Sequence, residues 1–448
     1  MNLIFRPLYL IYRLFSWSRY WAVRRFTRAG LTLLGAACLT AAMGVDTENA
    51  VAYQAFTLIV FLLLLALVFS VYFRVRFSAT RSLPRFGTVG RPFSYRVAVR
   101  NLTAKPQLGL TLLEDLADPR PSFPDWRAVQ LDDEKYVRPF RVSQRRRINP
   151  FKLANVTEAP LPSVLPQQEV EVDVQFTPLR RGLVRMKGIT LARPDPLGLF
   201  RAFEKIPLPQ MALILPKRYP LPPIALPGAM KYQQGGVALA SNVGRSEEFV
   251  ALRDYRRGDP LRHIHWRSWA KAGKPIVKEF EDEFFVRHAL ILDTFTDRPY
   301  SEIFEETVSV AASFACTLAT QESLLDLLFV GPQAYCFTAG RGLAHADQML
   351  EILASVRPCH DETFAKLERL VLDHANLVSG CICVLLSWDD ERRKLVEKLK
   401  ALGLPVLVLV LRPAGNNEPL DPGPMRDQPD RLISLELWKI EEQLAALK

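Results

Sequence analysis

A chain of 448 residues is too long for one ordinary hydrophobic core, so two or three domains are expected. Its net charge of +11 points toward nucleic acid only until it is located: residues 1–100 hold thirteen arginines, no lysine and two acids, Asp46 and Glu48, while the remainder is balanced. The basic excess is thus confined to the N-terminal region, which argues against a nucleic-acid-binding body.

That region carries two apolar runs, residues 29–45 and 51–73, joined by the polar turn DTENA. The second run has no charge and is long enough to cross about 30 Å of hydrocarbon as a helix. The first is shorter, but Ala36, Thr40 and Gly44 recur every four residues and would let two helices approach closely, so a two-helix transmembrane hairpin is expected. Arginines at 6, 13, 19, 24, 25 and 28 precede the pair, and Arg74, Arg76, Arg81 and Arg85 follow it. The positive-inside bias then places both flanks on the cytoplasmic side, giving a multi-pass protein of the inner membrane with cytoplasmic soluble domains. A cleaved signal peptide fits less well, because the charged leader is long and the second run would still anchor the chain. Phe5, Tyr9, Tyr12, Phe15, Trp17, Tyr20 and Trp21 stand among the leader's arginines, a composition suited to the lipid headgroup layer. Six cysteines without a CxxC pair read as reduced core residues.

Past the hairpin, FSYRVAVRN and VEVDVQF alternate apolar and polar residues and read as strands with one buried face. With LVRMKGITL and the Pro-rich loops between them, they predict a small Ig-like β-sandwich over 81–215, whose pairing in 117–165 the pattern does not resolve. Five prolines between Pro216 and Pro227, followed by QQGG, mark a linker over 216–243. From 286 to 414, HALILD, LLDLLFV, AYCF, CICVLLS and PVLVLVL are near-continuous apolar runs separated by helical stretches at 301–320, 346–356, 361–375 and 390–402. Buried strands alternating with helices predict a doubly wound α/β sheet. The tail, 415–448, ends in LELWKIEEQLAAL, an expected amphipathic helix.

Between linker and α/β region, residues 244–285 contain GDPLRHIHWRSWAKAG. Asp259 and Pro260 make a good helix start and Gly273 a natural stop, predicting a helix over 260–272. On it His263 and His265 would lie about 200° apart and could not share a metal. Nine basic and eight acidic residues between Gly244 and Glu283 nearly cancel, which disfavours phosphate binding and suits ion pairing or recognition of a partner's carboxylates. Trp266 and Trp269 would pack this segment against a neighbouring sheet. Two readings stay open: a structural brace between domains, or a partner-docking surface.

A second candidate is LILDTFTD, where Asp293 ends the first buried strand at the edge where open α/β sheets bind ligands. A hard-cation site there would want oxygen ligands two and four residues on, but those positions are Phe295 and Asp297, with Thr294 and Thr296 out of phase. LLSWDD offers Ser387, Asp389 and Asp390 at the end of another strand, so a degenerate magnesium site at Asp293 and Asp389 is the expectation for a metal.

PLRRGLVRMKGITLARPDPLGLF (178–200) and GRSEEFVALRDYRRGDPLRHIHWRSWAKAGKPIVKEFEDE (244–283) together resemble the bacterial membrane proteins grouped as domain of unknown function 58. Glu248, Arg253, Tyr255, Gly258, Asp259, Arg262, Trp266 and Lys278 carry that resemblance. It implies a von Willebrand factor A-like α/β domain and association with MoxR-type AAA+ ATPases and their client proteins. It also implies a metal motif Asp-x-Ser-x-Ser, which Asp293 matches and Phe295 and Asp297 break. The expectation is a non-enzymatic membrane scaffold without nucleic acid or an obligatory cofactor; a metal-dependent hydrolase or metal-dependent binding protein using Asp293 and Asp389 is the alternative.

Overall fold

The computed structural model of the chain describes residues 2–43, 50–71, 73, 75–118, 120–136, 152–222, 249–257, 261, 264–280, 286–298, 300–319, 323–339, 343–415 and 419–447. They divide into two compact units, residues 1–216 with 298–300, and 217–297 with 301–448.

The first unit opens with three helices: α1 (Asn2–Arg25), α2 (Arg28–Met43) and α3 (Ala50–Val71). With 22 residues, α3 rises about 33 Å and is, among the described residues, the one helix long and apolar enough to cross a bilayer. α2 is apolar but only 16 residues long, about 24 Å, and lies against α3. In place of the expected pair of spanning helices there is one helix of spanning length and a shorter apolar companion; the turn that would join them, with Gly44, lies outside the described residues.

The strands of this unit are β1 (Phe77–Ser82), β2 (Phe86–Thr88), β3 (Phe93–Asn101) and β4 (Thr111–Leu116), then β5 (Ala154–Val156), β6 (Ala159–Pro160), β7 (Glu169–Pro178), β8 (Gly182–Pro194) and β9 (Arg201–Leu215). They form sheets ordered β1-β3-β7-β5 and β2-β9-β8-β4-β6. The alternation read in β3 and β7 is what packs them together: Val97, Val99, Val174 and Phe176 from one sheet bury against Leu112, Val184, Met186, Ile189, Leu191 and Ile214 from the other. A β-sandwich follows. Buried inside it is one ion pair, Arg81 to Glu114 at 2.7 Å, whose guanidinium also donates to the Gly188 and Leu208 carbonyls. The stretch 117–165, whose pairing the sequence pattern leaves open, contains α4 (Phe123–Tyr136), whose Trp126 is covered by Phe5, Tyr9 and Tyr12 of α1.

In the second unit, β10 (Phe249–Asp254), α5 (Trp266–Ala272) and β11 (Ile276–Phe280) precede β12 (Val286–Leu292), α6 (Glu302–Ala319), β13 (Ser323–Val330) and β14 (Ala334–Ala339). There follow α7 (Leu343–Ser355), α8 (Phe364–His374), β15 (Gly380–Leu385), α9 (Asp390–Ala401), β16 (Val406–Arg412), β17 (Leu432–Glu436) and α10 (Ile440–Ala445). Six strands make one sheet ordered β14-β13-β12-β15-β16-β17, parallel except for β14. Ala289, Ile291, Cys381, Cys383, Val406, Val408 and Val410 face α8 and α9 in one apolar cluster; α6 packs on β12, β13, β15 and β16 and against α7. Period-two alternation gives each strand an apolar residue for both sides, which is why these runs read as unbroken.

Two expectations change here. LISLE is strand β17, paired with β16, so the sheet continues past residue 414 and the amphipathic helix shrinks to α10. Of the helix expected over 260–272, α5 is the described part: Ile264 bridges to Val277 and His265 N–H donates to the Ile276 carbonyl at 2.8 Å, so β11 claims Ile264 and His265, while Pro260, Arg262 and His263 lie outside the described residues. The stop is as expected, with Gly273 at φ 69° accepting the left-handed turn.

Candidate functional site

Asp293 follows β12 at the C-terminal edge of the sheet and is fully buried. Phe295 N–H donates to its Oδ1 and Leu386 N–H to its Oδ2, each at 3.0 Å. The remaining acceptor capacity goes to Arg392 in the first turn of α9, whose Nε reaches Oδ2 at 2.7 Å and whose Nη2 reaches Oδ1 at 3.2 Å. This is the forked geometry that binds carboxylates best. Arg392 is itself buried, lies 4.8 Å from the Phe364 ring centroid, and uses Nη1 to hold Asp389. Asp389 caps α9 by accepting from Arg392 N–H at 3.1 Å, and Ser387 Oγ donates to it at 2.9 Å.

Burial works against charge on Arg392, but Asp293 and Asp389 outweigh it and hold the guanidinium pKa above its ordinary value. Burial likewise pushes Asp389 up, and the Arg392 N–H and guanidinium with the Ser387 hydroxyl bring it below the usual carboxylate range. The structure thus brings Asp293 and Asp389 together, around a guanidinium. A hard divalent cation asks for six or more oxygens. Here Thr294 Oγ1 donates to the Val330 carbonyl, Phe295 packs into the core, and Asp297 is exposed. Among the described residues no group of three or more His, Cys, Asp or Glu could hold a metal. The donor set fits Arg392 and does not fit magnesium.

Elsewhere in the same unit, β10 and β11 form an antiparallel ribbon that sets Leu252 opposite Lys278 and Arg253 opposite Val277. Arg253 and Lys278 are half-buried, and Tyr255 N–H is fixed by the Pro275 carbonyl at 3.0 Å. Lys274 pairs with Asp254 at 2.8 Å. Trp266 does not pack into a sheet as expected: it is 65% exposed and stacks on Trp269, with centroids 5.2 Å apart and planes 18° from parallel. Leu261 is also exposed, as are Arg267 and Lys271 of α5. Glu248, Gly258, Asp259 and Arg262, together with His263, lie outside the described residues.

A third constellation has no role in the sequence reading. In RPDPLGLF, Asp195 accepts backbone N–H groups from Leu197, Leu199 and Phe200 at 2.6–3.0 Å, closing the β8–β9 loop around one carboxylate. The loop then grips the α1–α2 junction: Thr27 N–H donates to the Leu199 carbonyl at 3.1 Å, Phe26 bridges to Phe200, and their rings meet edge to face at 5.1 Å. Gly30 is required there, since a Cβ would fall 1.9 Å from the Leu199 oxygen. The resemblance motif is therefore the part of the sandwich that holds the apolar helices.

A family model described as "Protein of unknown function DUF58" matches residues 251–414, from β10 through β16. Over these residues the chain is similar to that family. The match takes in both the exposed tryptophan pair and the Arg392 fork. Uncharacterized protein YeaD of Bacillus subtilis is 29% identical over 126 residues, 28% of this chain and 31% of that protein, so the match spans about a third of the curated relative's length. Among solved structures, the CARDB domain of PF1109 from Pyrococcus furiosus aligns at 11% identity over 31% of this chain and 93% of its own, with a TM-score of 0.16. The ASH/PapD-like domain of human CEP192 aligns at 10% identity over 31% and 87%, with a TM-score of 0.17. The β-sandwich of this chain rests on its own strand order and not on those scores.

Proposed function

We propose that this protein is a non-enzymatic, membrane-anchored scaffold, whose DUF58-like segment docks a MoxR-type AAA+ ATPase or its client proteins at the cytoplasmic face of the inner membrane. The observation that supports docking is the Trp266–Trp269 stack, an aromatic anchor left largely in solvent and flanked by cations on a short, firmly stopped helix. Exposed tryptophan beside arginine is the composition of interface hot spots, and a brace would have buried it. The six-stranded order with a central first strand and a single antiparallel edge supports the von Willebrand factor A-like reading of the α/β domain. The two apolar helices, with arginines on both flanks, support a hairpin anchor. Hydrolysis through a metal at Asp293 and Asp389 has the Arg392 fork against it.

Crosslinking of the intact protein in its membrane with ATP present, followed by affinity capture, tests this reading. An AAA+ ATPase is expected with the wild type and is lost with Trp266→Ala. Recovery of no such ATPase, or equal recovery with the variant, refutes it.

A further inference from the structure

The face of α1 that turns away from α4 is apolar and exposed: Leu10, Ile11, Leu14, Phe15, Trp17 and Trp21 are 41–68% exposed, with Trp21 also meeting the Phe26 and Phe200 rings at 6.0 Å. They fall within about 160° of the helix circumference, opposite Phe5, Tyr9 and Tyr12, which cover Trp126. Arg6, Arg13 and Arg19 lie at the margins of that face. An apolar stripe with aromatic residues, bordered by arginine and leading within three residues into α2, which lies against α3, is the pattern of a helix lying in a lipid interface.

Beneath the inner side of α1, a cleft of about 420 Å³ runs between Ser16 and Tyr20 and the sandwich strands β4, β8 and β9. Two of its ion pairs are closed: Arg24 with Asp115 at 2.7 Å, and Arg120 with Asp118 at 2.5 Å. Two lining cations are not. Lys187, in the β8 bulge, and Lys205, on β9, are exposed and make no ion pair or hydrogen bond through their ammonium groups among the described residues. The bulge is held by buried Arg81 donating to the Gly188 carbonyl, so Lys187 is presented by a rigid turn. With both acids neutralised, the cleft offers a net positive site with the Tyr20 phenol at its rim.

We propose that this cleft holds the phosphate of an anionic phospholipid headgroup, with Lys187 and Lys205 as its cations and α1 lying in the headgroup layer over it. The proposal rests on α3 anchoring the chain in a bilayer. Each basic residue at an anionic membrane surface is worth about fivefold in binding, so neutralising both lowers affinity about 25-fold.

The test uses the full chain in mild detergent. Native mass spectrometry measures retention of short-chain phosphatidylglycerol, and of phosphatidylcholine with the same acyl chains, by the wild type, Lys187→Gln/Lys205→Gln and Lys187→Arg/Lys205→Arg. The wild type and the arginine variant are expected to prefer phosphatidylglycerol about 25-fold, and the glutamine variant to treat both lipids alike while melting as the wild type does. Equal retention of the two lipids by the wild type, or an undiminished preference in the glutamine variant, overturns the proposal. Displacement of the lipid by inorganic phosphate at equal concentration assigns the cleft to a soluble phosphate and overturns the lipid assignment. Alkaline extraction of cell membranes reads the anchor separately: release of the chain refutes the span at α3 whatever the detergent binding shows.

Discussion

Replacing Arg392 by leucine leaves the Asp293 carboxylate, whose side chain is 0% exposed, without its counter-charge. Breaking a buried pair by removing one partner costs about 3–5 kcal/mol. The two N–H donors from Phe295 and Leu386 remain, which places the loss near the lower end, about 3 kcal/mol. For a unit of this size that is a drop in Tm of roughly 9 °C. The pH dependence has a definite sign. An unpaired buried carboxylate has its folded pKa raised above the unfolded value of about 3.9, so the folded variant takes up a proton more readily and its deficit shrinks as pH falls. Arg392→Leu/Asp293→Asn removes the orphaned charge and recovers part of the loss. Urea unfolding of the detergent-solubilised chain measures the loss, and hydrogen exchange over residues 286–297 and 383–401 shows whether it is local to the fork. A loss under about 1 kcal/mol, a deficit that grows on acidification, or stabilisation of the wild type by magnesium would refute the view that a guanidinium occupies this edge.

Burial holds the His288 imidazole below its ordinary pKa of 6.5. Its folded pKa being depressed, the neutral fold is fully stable above the unfolded value of about 6.5 and loses stability as pH falls below it; His288→Gln flattens this slope in the same urea series, and an unchanged slope places the titrating group elsewhere. Asp195→Ala leaves three loop N–H groups without their acceptor and costs about 2–4 kcal/mol. Gly30→Ala forces apart the contact with the Leu199 carbonyl at a cost of about 1–3 kcal/mol, and trypsin cleavage after Arg25 and Arg28 accelerates; cleavage at the wild-type rate contradicts the clamp. Trp266→Ala, at a largely exposed position, changes stability by less than about 0.5 kcal/mol, which separates loss of docking from loss of fold.

Helices and strands whose periodicity is set by local burial were legible. FSYRVAVRN and VEVDVQF show a sandwich face because each strand has one wet side, and the apolar runs after residue 286 show a covered sheet because they have none. β17 was hidden because a half-exposed edge strand with a charged end reads as tail until β16 pairs with it. The helix expected over 260–272 followed rules that depend on neighbours in sequence, and pairing of Ile264 with Val277 took Ile264 out of it through a partner thirteen residues away.

For the candidate sites, sequence alone determined that the basic excess is N-terminal, that Asp293 ends a buried strand, and that the expected metal motif is broken at Phe295 and Asp297. All of this is written in composition and spacing. Tertiary structure decided what Asp293 does instead, because its partner Arg392 stands ninety-nine residues away in a run of charges, DDERRK, that reads as a solvated helix start. It also decided that Trp266 faces water and that Asp195 and Gly30 join the sandwich to the apolar helices. Those facts depend on which surfaces meet, and a carboxylate, an indole or a glycine carries no local mark of the surface it will find.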